Sequence, residues 1–184
     1  MTTRWSVPPG MWKGETVAVL AGGPSMNQQL ADSVRQYKRI VVNNACRLAP
    51  DAEMWVAIDS QPDYWVETHG FTGLRICGGE DEESDAFYVG QMWEKVVLGI
   101  NNVVEIRNSG LAAIRIAAAT GASKILLLGF DPDLAIDGEY VGLKEGLAAI
   151  MAELRALGIE VERIDTLHAA PAEKTSTIWD KWGA

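Results

Sequence analysis

Gly22, Gly23, Pro24 and Ser25 follow directly on the apolar run Val17-Ala18-Val19-Leu20-Ala21. Paired glycines permit positive φ and remove the Cβ atoms that would hold a ligand off the main chain, while Ser25 suits the N-cap of the segment that follows. A strand-to-helix turn of this kind presents unpaired N–H groups and a positive dipole end, the chemistry that holds a phosphate. The same residues also serve plain turn geometry. Neither Gly-x-Gly-x-x-Gly nor Gly-x-x-x-x-Gly-Lys-Ser/Thr is matched, and no lysine follows the glycines. That argues against a P-loop kinase or ATPase and against a standard dinucleotide fingerprint.

A second unit of the same type is Asn108-Ser109-Gly110, which opens the alanine-rich run Leu111 to Thr120. It offers another helix start with a hydroxyl and bare backbone. Asn43 and Asn44 carry amides suited to a base or a ribose, and Asp59 and Asp131 carry carboxylates suited to hydroxyls or Mg²⁺. Metal chemistry of other kinds has little support. Cys46 and Cys77 are far apart with no Cys-x-x-Cys pair, and only His69 and His168 could join them, so zinc is not expected. The run Glu80 to Asp85 reads as a solvated acidic loop.

The elements that must position these residues alternate along the chain. Thr16 to Leu20, Arg39 to Asn43, Met54 to Ile58, Leu74 to Cys77, Lys124 to Leu128 and Glu160 to Ile164 read as strands, with either two further short strands over 96–100 and 103–106 or one strand interrupted at Asn101-Asn102. Met26, Leu30, Val34 and Tyr37 recur at helical spacing, which predicts an amphipathic helix over 26–37. A short helix around 64–66, the alanine-rich helix stopped by Gly121, and a helix over 142–157 stopped by Gly158 complete the set. Strands alternating with helices predict an α/β fold: one doubly wound, mostly parallel, Rossmann-like sheet with helices on both faces and right-handed crossovers. In such a sheet all strands end at one edge, where ligands bind. That edge would collect Gly22 to Ser25, Asn43, Asn44, Asp59, Asn108, Ser109, Gly110 and Asp131, a set shaped for a nucleotide.

The 184 residues, 48% of them hydrophobic, suffice for one sizeable core. The chain therefore reads as a single domain over 1–184, with an N-terminal arm over 1–14 and a tryptophan-bearing tail over 171–184. A formal net charge of −9 argues against a broad face for nucleic acid or an anionic membrane and favours a small-molecule partner. No signal-peptide core follows Met1, and no apolar run approaches the ~20 residues of a membrane span, so the cytoplasm is the expected compartment. Trp5, Trp12, Trp179 and Trp182 suit docking on the body or a homo-oligomer contact.

Taken together, Leu20 to Ser25, Val42 to Pro50, Asp59, Tyr64-Trp65, Asn108-Ser109-Gly110 and Gly129-Phe130-Asp131 resemble a Rossmann-like superfamily. It comprises bacterial CMP-sialic acid transferases, motility accessory factor domains, archaeal hydroxymethyldihydropterin pyrophosphokinases and many small phage-encoded proteins, the last most similar to this chain. The resemblance covers roughly residues 17 to 131 and implies a transferase that binds a nucleotide or nucleotide-sugar. Phosphates would lie on Ser25 and Ser109, the base or ribose on Asn43 and Asn44, and Asp131 and the Asp133 to Tyr140 loop would face the acceptor. Glycosyl transfer is the leading reaction it implies. The alternatives are Mg²⁺-dependent pyrophosphoryl transfer, with Asp59 and Asp131 holding the metal, and a non-catalytic nucleotide or metabolite binder of phage origin. Two departures bear on catalysis: Gly22 stands where the sialyltransferases carry asparagine, and no histidine lies between Asp131 and Ile164 to serve as their lid base. Asp131, Tyr140 and His168 are left as the catalytic candidates.

Overall fold

The computed structural model describes residues 10–57, 70–77, 87–88, 108–132 and 143–164. In chain order the elements are β1 (Thr16–Leu20), α1 (Gln28–Asp32), β2 (Lys38–Val42), a 3-10 turn (Asn43–Arg47), β3 (Met54–Ala57), β4 (Leu74–Cys77) and β5 (Phe87–Tyr88). They continue with α2 (Ser109–Ala119), β6 (Lys124–Leu128), α3 (Leu143–Ala156) and β7 (Glu160–Ile164). The strands form one sheet in the order β5-β4-β3-β2-β1-β6-β7, and every pairing is parallel. This is the α/β Rossmann-like architecture that the alternation predicts, with one strand, β5, that the sequence pattern did not mark.

Continuous apolar runs make the inner strands because both faces are covered. Val17, Val19, Ile40, Val42, Met54, Val56, Ile125 and Leu127 enter one core with Ala112, Ala113, Ile116 and Ala117 of α2 and Leu147, Ile150 and Leu154 of α3. The alternate residues Ala18, Leu20, Val41, Trp55, Ala57, Leu126 and Leu128 enter a second core with Leu30, Ala31, Val34, Ala45, Cys46 and Ala49. The period of two along each strand thus divides one sheet between two helical layers. The alanines of α2 let it press close on the sheet, and an Arg115–Glu153 ion pair at 2.7 Å ties it to α3.

Strand order reverses at β1. The chain steps outward from β1 through β2, β3 and β4 to β5, then returns to place β6 on the other side of β1. The carboxyl ends of β1 and β6 therefore flank the switch point, where a crevice forms in sheets of this type.

The N-terminal arm is described from Gly10 onward. Trp12 is buried in the first core, its N–H donates to Thr120 O at 2.7 Å, and Gly14 N–H donates to Gly121 O at 2.9 Å. The indole thus packs on the body, as its place in the sequence predicts. The expected strands over 96–100 and 103–106, the short helix at 64–66, the 80–85 loop and the 171–184 tail lie outside the described residues. No helix among the described residues is long and apolar enough to cross a membrane.

Two local readings are corrected. The helix expected over 26–37 is α1 at Gln28–Asp32 alone, continued by tight turns in which Arg35 N–H donates to Asp32 O and Tyr37 N–H to Val34 O. Leu30 and Val34 stay buried in either geometry, so their spacing does not separate a helix from a helix followed by turns. The strand expected to end at Asn43 ends at Val42, and Asn43 begins the 3-10 turn.

Candidate functional site

Gly22, Gly23, Pro24 and Ser25 leave β1, and Gly129, Phe130 and Asp131 leave β6, so the two loops meet at the switch point. Their backbones interlock: Ala21 N–H donates to Leu128 O at 2.8 Å and Gly23 N–H to Gly129 O at 3.0 Å. A Cβ at Gly23 would fall well inside contact distance of the Asp131 carboxylate and the Gly129 carbonyl. Gly129 has φ +69°, and a Cβ there would overlap the Ala21 carbonyl. The glycines are needed so that two chain segments can touch.

The Ser25 N–H donates to Asp131 Oδ2 at 2.8 Å. The anion-binding turn expected after β1 is thus occupied by the protein's own carboxylate, drawn from 106 residues away in sequence. Ser25 does not cap α1; Asn27 does, its side chain accepting from Leu30 N–H at 2.9 Å. At α2 the cap is Asn108, whose Oδ1 accepts from Gly110 N–H at 2.8 Å and Leu111 N–H at 3.2 Å. Ser109 is buried, and Gly110 lies against the Phe130 ring, where a Cβ would come within 3.0 Å of Cε1. The start of α2 therefore sits beside the end of β6, with its first amides held by Asn108. Both helix starts expected to present open N–H groups are already capped by side-chain oxygens.

At the end of β2, Asn43 has φ +47°, the one non-glycine among the described residues with positive φ. Left-handed backbone costs most residues energy, and asparagine tolerates it better than most. Trp55, fully buried on β3, holds the conformation by donating its Nε1–H to Asn43 O at 3.0 Å. Just beyond, burial pushes the Cys46 thiol up to about 11, so it is neutral at physiological pH and is not a ready nucleophile.

Polar atoms without partners gather at this edge. Ser25 Oγ, Asn43 Oδ1 and Asn44 Oδ1 are all sheltered from solvent and make no hydrogen bond. The other such side-chain atoms among the described residues are the Nε atoms of Arg39 and Arg115, whose guanidinium groups are paired through Nη2 with Asp51 at 3.0 Å and Glu153 at 2.7 Å. Leaving such an atom without any partner costs about 1–3 kcal/mol, so each is a position that water or a ligand would complete.

Of the residues expected from sequence, the structure thus places Gly22, Gly23, Pro24, Ser25 and Asp131 together at the switch point. Asn108, Ser109 and Gly110 stand next to β6 through Phe130, and Asn43 and Asn44 follow β2, the neighbour of β1. Asp59, Tyr140 and His168 lie outside the described residues. Sequence reasoning missed the cap Asn27 and the role of Trp55; Asn27, three residues before Leu30, is the cap signal that could have been read.

No family model matches the chain, and no curated protein matches it. Among solved structures, the chain is similar to a probable thiamine pyrophosphokinase from Staphylococcus saprophyticus, at 12% identity and a TM-score of 0.47, over 82% of this chain. The match takes in 65% of that protein, so the chain spans just under two thirds of its length.

Proposed function

We propose that this chain binds a nucleotide across the β1/β6 switch point and uses it as the donor in group transfer, with Mg²⁺-dependent pyrophosphoryl transfer as the reaction. The observation that carries the reading is the Asp131 carboxylate, fixed by the Ser25 amide where the strand order reverses. A carboxylate filling the glycine turn repels a bare phosphate, and a divalent cation reconciles the two charges. The donor set fits Mg²⁺ carried in on a triphosphate. That ion takes one or two carboxylates and completes its shell with phosphate oxygens and water. Asp131 Oδ1 accepts no hydrogen bond among the described residues, which do not bring three His, Cys, Asp or Glu groups together as a protein cage would. Asp59 is the second carboxylate in this reading. The metal would supply charge neutralisation on the transferring phosphates, while Ser25 and Asp131 orient the nucleotide and the start of α2 walls the crevice.

A thermal-shift panel of ATP, CTP, GTP, UTP, CMP and CMP-sialic acid, each with and without Mg²⁺, tests this. The expected result is stabilisation by triphosphates that needs Mg²⁺ and is lost in Asp131→Asn, reaching about 2.7 kcal/mol at a hundredfold excess over Kd. A metal-independent shift with CMP-sialic acid would instead support glycosyl transfer, and no shift with any nucleotide would overturn the nucleotide reading.

A further inference from the structure

We propose that Phe130 is a positioning residue for the switch-point site: its ring, seated on Gly110 at the start of α2, sets where the Asp131 carboxylate meets the Ser25 amide, and through that bond how a Mg²⁺-bound triphosphate is held. The second half of the inference rests on the nucleotide reading above; the first rests on the packing alone.

Asp131 stands three residues beyond the end of β6, and the chain between is gripped from two sides. On one side is the loop after β1. Gly129 O accepts from Gly23 N–H at 3.0 Å, and Gly129, at φ +69°, lies so close to the Ala21 carbonyl and the Met26 Cβ that a side chain there would collide with the first and crowd the second. On the other side is α2. Phe130 is buried in the first core, and a Cβ at Gly110 would come within 3.0 Å of its Cε1 and 3.5 Å of its Cζ, so the bare glycine makes the room that the ring occupies. Gly110 is not free to retreat, because Asn108 Oδ1 holds its N–H at 2.8 Å.

A ring pressed between a fixed helix start and the end of a strand passes any displacement to its own backbone, since close-packed interiors transmit strain. The next residue is Asp131, whose Oδ2 accepts the Ser25 N–H at 2.8 Å, and hydrogen bonds weaken as that distance and angle depart from their best values. An aromatic that only filled the core would alter stability when changed and leave the bond between Ser25 and Asp131 where it is.

The Ser25 amide resonance in proton–nitrogen correlation spectra of the full chain reads the bond directly, with Asp131→Ala marking its position when the bond is gone. Gly110→Ala adds one methyl against the ring, and Phe130→Leu takes the ring away. Each is expected to move the resonance toward the Asp131→Ala position and to weaken ATP binding in Mg²⁺ about three- to tenfold by calorimetric titration, a scale usual for residues in contact. The double variant pairs the larger residue at 110 with the smaller one at 130, and is expected to bring both readings back toward the wild type. That rescue is the signature of the ring, because the added methyl also crowds Asn108 Oδ1, a contact that a change at 130 leaves in place. Phe130→Met takes the place of the leucine variant if that one does not fold. A lower melting temperature with the Ser25 resonance unmoved would overturn the inference, as would a moved resonance with unchanged ATP binding, or a double variant no better than Gly110→Ala. If ATP fails to bind the wild type in Mg²⁺, the nucleotide reading falls and takes the second half of the inference with it, while the resonance still decides the first.

Discussion

A methyl group added at Gly23 would meet the Asp131 carboxylate and the Gly129 carbonyl at once, whereas one added at Gly22 would meet nothing within 4 Å. Gly23→Ala is therefore expected to destabilise the protein by about 1–3 kcal/mol, the scale of local strain at such sites. Gly22→Ala should stay within about 0.5 kcal/mol of the wild type, as surface changes do. Urea denaturation of the two variants side by side checks this. The sequence made both glycines visible and could not rank them. What separates them is a carboxylate that leaves the neighbouring strand β6, 106 residues from Ser25 in sequence, and nothing in the local pattern announces it. Ser25, a good cap by type, does not cap α1 because the helix begins at Gln28, and Asn27, two residues on, stands at the capping position.

Two of the helices, α1 and α2, owe their starts to asparagines. Asn108 Oδ1 accepts two of the first amides of α2, so Asn108→Ala is expected to cost about 0.5–2 kcal/mol, and Asn108→Asp, which keeps the acceptor, should recover most of it. Denaturation midpoints of the pair decide the matter. At this scale legibility follows how local the cause is. α2 was readable because its cap, its alanine run and Gly121 at φ +89° all lie within one stretch of chain. The strands were readable because burial on two faces demands unbroken apolar runs, as in Lys124 to Leu128. The extent of α1 was not, because Leu30, Ala31 and Val34 fill the second core equally well from a helix or from the tight turns that follow it.

For the whole molecule, the alternation of elements announces a wound sheet and leaves open which strands are neighbours. β1 and β6 are both apolar runs, and only their pairing puts the glycine turn beside Asp131. That adjacency has a temporal side. Closing a contact across 106 residues is entropically expensive and belongs among the slower events of folding. The chain can pair β1 with β2 early, yet the crevice does not exist until β6 docks. After dilution from urea, recovery of triphosphate binding is expected to coincide with hydrogen-exchange protection of β6 amides and to lag that of β2, as pulse labelling would reveal. A chain still emerging from the ribosome, with its first five strands made, would be blind to its ligand, and competence would switch on with the arrival of one strand.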